Sequence, residues 1–392
     1  MAQQVWAFGL NSHEQIALSK AGDLVTPHCM DAGDNIGVLY AVKRDGHLYH
    51  YGGMTGRHAR KLTSPRNCTI TKFFGTHDGL RGGITELGQL ALLENDTFTL
   101  QGSLGTCPLL ADIALINSGH VAAVILTSRV ENWEVLEFHN VTSFIDWYNT
   151  PISEATHVVN LAITSSTAGE SRPISTPLVS HKGNGRHIQL VASSTCFALL
   201  TESNDRGVVR STIYTWGEAR SHSALGRSVD EHNPPTSPGS VSALEGLRIS
   251  KIASGGYMSA ALTEDRDLYL WGQAQPGRGL LIDDMRAHND DDVKLANVIS
   301  PSEQGDTMDI RDVAVGNGHV VVITQDRRVF VAGSNTNGQL GTGDAEAFVP
   351  YWKEINLLRE IALGVVCGDK TTYVETIRGH IALGSGHAEA NV

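Results

Sequence analysis

The sequence predicts an all-β fold, a seven-bladed β-propeller closed by strands from both chain ends. Three observations carry this reading. A glycine-rich turn at residues 333–344 follows a run of β-formers, the same strand–turn order recurs along the chain, and the two chain ends are offset by half a unit.

The turn comes first because it is the sharpest signal. The segment GSNTNGQLGTGD has a single large apolar side chain, Leu340. Val329, Phe330 and Val331 stand just before it, and Gly333 stops their run. Upstream, VAVGNGHVVVITQD reads as a short strand, a glycine turn, an apolar strand and a polar turn. A phosphate-cradling loop needs Lys-Ser or Lys-Thr after its last glycine, with a helix behind. Here Gly343 is followed by DAEAF, so the segment reads as the turn of a repeated β-unit. Asn335 and Asn337 are expected to hold it through side-chain to backbone bonds, while Gly338, Gly341 and Gly343 supply backbone angles that other residues resist and Gly333 is a structural residue of the turn. Leu340 is expected to be its buried anchor.

The other units follow in chain order. VWAFG at Val5 opens the chain with no unit before it. LYHYGGMTG follows MDAGDNIGVLYAVKRDG, and FTLQGSLGT follows FFGTHDGLRGGITELGQ. WEVLEFHN is a weaker copy after INSGHVAAVILTSR. IYTWGEARSHSALGRS follows IQLVASSTCFALLTESND, and LYLWGQAQPGRGLL follows ISKIASGGYMSAALTEDRD. The last unit, LGVVCGDKTTYVET, has no aromatic strand after it. β-rich periods of this size mean a propeller. Because an open sheet edge invites pairing with other chains, Val5–Gly9 is expected to join the sheet that contains Thr371–Glu375. The propeller is therefore placed at 5–378 as a single domain, with an irregular insertion at 139–187 and a C-terminal tail at 379–392.

Composition agrees with a globular, turn-rich chain. It has 392 residues, 41 glycines against 12 prolines, and a net charge of −12. The acidic balance argues against direct nucleic-acid binding and against anionic membranes, and suits a protein partner with basic groups. The five cysteines, Cys29, Cys68, Cys107, Cys196 and Cys367, are far apart without a CxxC pair. They read as reduced thiols of a cytoplasmic or nuclear protein. The start MAQQVWAFG lacks the features of a signal peptide, no run is long enough for a membrane helix, and a monomer is expected.

No catalytic constellation stands out. His-Glu-x-x-His, Gly-x-Ser-x-Gly and a Gly-x-Gly-x-x-Gly between strand and helix are all missing. The 17 histidines show no close pairs of the kind metal sites use. No enzyme activity, metal or cofactor is expected. His77, His120 and His319 stand at glycine turns, where they either bond neighbouring backbone or touch a partner.

VFVAGSNTNGQLGTGD resembles the signature repeat of the regulator of chromosome condensation family, and IYTWGEARSHSALG and VWAFGLNSHEQIAL resemble it with fewer matches. VGNGHVVVIT and SGGYMSAALT approximate the family's second hallmark. The resemblance implies a propeller that presents one face to a protein, and aligning the glycine turns places Asp34, Asp78, His120, Tyr257, His319, Asp369 and Lys370 on that face as partner-binding residues. It implies a non-enzymatic interaction module or adaptor. One route is a small metal-binding partner in tRNA wobble-uridine modification and diphthamide synthesis. The alternative is guanine-nucleotide exchange on a Ran-like small GTPase. Ile36, Ala122, Cys196, Met258 and Lys370 stand where the family's turn histidine is expected, and no counterpart of its exchange wedge is recognisable.

Overall fold

The structure, a computed structural model, describes residues 3–9, 24–30, 42–44, 47–50, 60–65, 68–76, 79–102, 107–126, 132–150, 177–277, 279–286, 293–299, 307–355 and 360–378. Among these, the named strands form seven sheets, six of four strands and one of three. Neighbouring strands within every sheet are antiparallel, as short polar turns between consecutive apolar runs demand.

We number the blades in chain order. Blade 1 is Val42–Arg44, His47–His50 and Arg60–Leu62, and blade 2 runs from Ile70–Thr76 to Thr97–Leu100. Blade 3 runs from Leu109–Leu115 to Val179–Asn184, and blade 4 from Arg186–Ala192 to Gly239–Ser240. Blade 5 runs from Ile249–Gly255 to Lys294–Leu295, and blade 6 from Ile310–Val315 to Phe348–Ile355. Blade 7 is composite: Glu360–Cys367 and Thr371–Arg378 pair with Gln3–Gly9 and Leu24–Met30 from the other end of the chain. Val5 lies opposite Glu375 and Gly9 opposite Thr371, so the half-unit offset of the sequence is a shared sheet.

The first strands of blades 2 to 7 lie side by side around the axis. Apolar clusters fill the spaces between blades. One joins blades 5 and 6 through Leu270, Ile282, Val320 and Phe330, and another joins blades 6 and 7 through Val321, Val331, Leu340 and Val374. Each inner strand breaks register near its start, at Ile70/Lys72, Leu110/Asp112, His187/Gln189, Ile249/Lys251, Ile310/Asp312 and Ala362/Gly364. Such a bulge frees a backbone N–H, and in blades 4, 5 and 7 the neighbouring blade supplies an acceptor side chain. Asp112 accepts from Leu190 N at 3.0 Å, Gln189 from Ile252 N at 3.0 Å and Asp312 from Val365 N at 3.1 Å. Lysines of the preceding blades neutralise the two aspartates, Lys72 on Asp112 at 2.7 Å and Lys251 on Asp312 at 2.5 Å.

The insertion expected at 139–187 needs correction at both ends. Val141–Asn149 is an α-helix, started by a capping box between Asn140 and Ser143. Its Phe144, Trp147 and Tyr148 are buried against Phe74, Leu90 and Phe138 of blades 2 and 3. Val179–Asn184 is the outer strand of blade 3, and Arg186 already begins blade 4. The irregular reading came from the polar run 164–187, whose last part pairs because Trp133 and Tyr214 pack on His181. The tail at 379–392 lies outside the described residues.

The 333–344 turn is packed from within. Gly333 is required because a Cβ there would strike the carbonyl oxygen of Gly318, and Gly217 and Gly272 meet Thr195 and Tyr257 in the same way. The buried Asn335 side chain accepts from Leu340 N at 3.0 Å and donates to Glu346 O at 3.0 Å. Gly338 and Gly341 carry φ of 74° and 63°. Leu340 is fully buried between blades 6 and 7.

Candidate functional site

The inner strands end in tight turns on one face of the propeller, glycine-containing except at residues 193–195 of blade 4, and these turns surround the mouth of the central channel. Counting five residues beyond each bulge gives Asn117, Ser194, Gly256, Asn317 and Asp369 in blades 3 to 7. Their backbones are tied blade to blade: Asn117 N donates to Ser194 O at 2.9 Å, Ser194 N to Gly256 O at 2.7 Å and Asn317 N to Asp369 O at 3.0 Å. A turn so tied is a rigid platform, because each loop is fixed by its neighbour and by its own strands.

Above the turns lies a polar basin of about 390 Å³, lined by Asn117, Ser194, Tyr257, Gln275, Asn317, Thr336, Gln339, Asp369 and Lys370 among others. Below it the channel continues as a cavity of about 250 Å³ between Leu115, Val315, Val366 and the turn backbones. Gln275 donates to Asn317 Oδ1, and Asn317 Nδ2 donates to Asp369 Oδ1 at 2.8 Å. The floor therefore presents amides, hydroxyls, one exposed carboxylate and one ammonium, a set suited to recognition by hydrogen bonds.

The residues expected on this face separate into groups. Tyr257, Asp369 and Lys370 come together around the basin. His120 is on the same face, half-exposed, with Nδ1 2.7 Å from Glu137 Oε1. Asp34 and Asp78 lie outside the described residues. His319 requires correction, since it is fully buried and offers nothing to a partner. Its Nε2 lies 3.2 Å from Thr372 Oγ1, and that hydroxyl gives its one proton to Gln339 O at 2.8 Å. The histidine must then donate from Nε2, and burial pushes its pKa down to about 4, keeping the ring neutral. The histidine sits inside because the glycine at 316 leaves room for its ring; a Cβ at Gly316 would strike it.

Asn117, Ser194, Gln275, Asn317 and Gln339 were not singled out from the sequence. The signal for the first, second and fourth is their shared offset from the polar bulge residues Asp112, Gln189 and Asp312 inside otherwise apolar strands. Glu137 was also missed. It is buried between blades 3 and 4, where Trp216 Nε1 donates to Oε2 at 2.9 Å. Burial outweighs its bonds to His120 and Trp216 and raises its carboxyl pKa. Among the described residues, no three His, Cys, Asp or Glu side chains converge as a metal-ligand set.

With this geometry in hand, likeness to known proteins can be placed. Residues 310–339 match the Regulator of chromosome condensation (RCC1) repeat. The chain is 27% identical over 219 residues to the human E3 ubiquitin-protein ligase HERC2, covering 54% of this chain and 4% of that protein. It is 30% identical over 132 residues to the regulator of chromosome condensation of Xenopus laevis, covering 33% of this chain and 28% of that protein. The matched stretch is thus a small part of each relative. Prp20p from Saccharomyces cerevisiae has the same fold over almost the whole chain, with a TM-score of 0.66, 13% identity and coverage of 97% and 92%. Residues 310–339 thus carry an RCC1 repeat, within a propeller that has the fold of Prp20p.

Proposed function

We propose that the protein is a non-enzymatic interaction module that binds a partner protein on its glycine-turn face. One observation carries the reading: the turns of blades 3 to 7 form a braced polar basin whose side chains are recognition groups. Tyr257 supplies the aromatic anchor of the contact, and Asp369 and Lys370 supply opposite charges near its centre. His120 extends it round the ring, and the family resemblance alone adds Asp34 and Asp78 as contacts. Charged groups so placed are easily solvated when free and need complementary partners when covered.

The first partner to test is a small metal-binding protein of tRNA wobble-uridine modification and diphthamide synthesis, which the family resemblance suggests. A Ran-like small GTPase is the second reading, favoured by likeness to a regulator of chromosome condensation and to Prp20p, a protein described with binding to Gsp1p and histones. Titration of each purified partner against wild type and the Tyr257→Ala and Asp369→Ala variants tests the face. A true hot spot weakens binding by roughly 2 kcal/mol, about thirtyfold. Wild-type affinity in both variants moves the contact elsewhere. Stopped-flow release of a fluorescent guanine nucleotide separates the readings: strong acceleration selects the exchange factor.

A further inference from the structure

We propose that His120 and His139 form a two-histidine chelate for a divalent transition-metal ion of the zinc or nickel class. The spacing of nineteen residues hides this pair in the sequence; strand register creates it. Val121 lies opposite Phe138, so the antiparallel ladder sets His120 across from His139 at the end of blade 3 on the glycine-turn face. The ring centres are 5.8 Å apart at 84°. With metal–nitrogen bonds of about 2.0–2.1 Å, and each ring centre about 1.1 Å behind its nitrogen, two imidazoles at a tetrahedral angle on one ion have centres roughly 5.2 Å apart. The observed separation is about 0.6 Å longer, a gap that a small side-chain rotation of the exposed His139 closes.

The second observation is the carboxylate behind the pair. Metal-binding histidines commonly give their other ring nitrogen to a carboxylate, which fixes the tautomer and raises ligand basicity. His120 Nδ1 is 2.7 Å from Glu137 Oε1, which leaves Nε2 for the ion. Glu137 is itself held by Trp216 and cannot swing away without losing a buried bond. His139 is exposed and His120 half-exposed, so the ion has a path from solvent. With two protein ligands, water completes the coordination.

The test is isothermal titration of the purified chain with Zn²⁺ and, separately, Ni²⁺, for wild type and three variants. The expected result is one site that is lost in His139→Ala and in His120→Ala. Glu137→Gln should weaken it by about 10–100-fold, the usual effect of removing an outer carboxylate. His139 is on the surface, so His139→Ala should melt as wild type does without metal, while the metal-induced rise in Tm disappears. Equal stoichiometry and affinity in wild type and His139→Ala would overturn the proposal, as would a wild type that binds neither ion. Loss in His120→Ala alone also overturns it.

Discussion

His319 in blade 6 and His120 in blade 3 occupy similar glycine turns, yet one is sealed and the other is half open. His319 is fully buried and bonds to Thr372 of the next blade, whose hydroxyl reaches Gln339 in the 333–344 turn. Histidine, threonine and turn form one dry unit around Leu340. His120 instead leans on a buried carboxylate of its own blade and keeps about a third of its side chain in solvent. A turn histidine is therefore not a surface group by virtue of its turn. What packs on it from the next blade differs between the two. In blade 6 the partner is a threonine; in blade 3 the space beside Glu137 is filled by Trp216.

The contrast can be broken most forcefully at Leu340. Leu340→Ala should cost about 2–5 kcal/mol, read by denaturant unfolding, because it empties the core between blades 6 and 7. A loss under about 0.5 kcal/mol would show that the turn is not part of the sealed unit. His319→Ala should cost about 1–3 kcal/mol by stranding the Thr372 bond network. Because the folded pKa is lowered, to about 4, the neutral ring is favoured at neutral pH and stability falls as pH drops through the unfolded value. His319→Ala should lack this acid-side slope, and an unchanged slope would count against the sealed ring.

Blade 3 offers a finer contrast between two buried carboxylates. Burial pushes Asp112 up, but His187 and Lys72 outweigh it and hold the carboxyl below its usual range. Its contribution is present above the unfolded pKa and lost as pH falls through the folded one. Asp112→Asn should therefore cost about 1–3 kcal/mol at neutral pH and progressively less in acid, as melting curves across pH would show. Glu137 has the opposite sign. Its raised pKa means a contribution present at low pH and lost as pH rises through the folded value. Glu137→Gln should thus gain in Tm relative to wild type as pH rises from acid to neutral. Parallel curves for both proteins would reject that assignment. His120→Ala should be the mildest change, within about 1 kcal/mol at neutral pH, because His120 keeps about a third of its side chain in solvent and Trp216 still holds Glu137.

Much of the fold was legible because each blade repeats one pattern of apolar strands and glycine turns. The pairing of Val5–Gly9 with Thr371–Glu375 could be read from the offset of the two ends. The helix at Val141–Asn149 was not, since its Asn-x-x-Ser cap is short and its aromatic face reads equally as strand residues. The basin was legible only in part. Tyr257, Asp369 and Lys370 stood out at their turns, while Asn117, Ser194 and Asn317 are ordinary polar residues until five blades are laid side by side.

By itself, the sequence determined the blade as a unit, because alternation, turn glycines and β-branched runs act through local backbone preference. It also determined the composite blade, because a unit split between the two ends finds its missing strands in its own other end. Only the tertiary structure decided which turn groups are sealed and which are open. Burial of His319, the Lys72–Asp112 and Lys251–Asp312 pairs, and the meeting of His120, His139, Glu137 and Trp216 all arise between blades or across strands. The physical reason is that solvation and charge depend on distances between residues far apart in the chain, which register and blade packing set and local sequence does not.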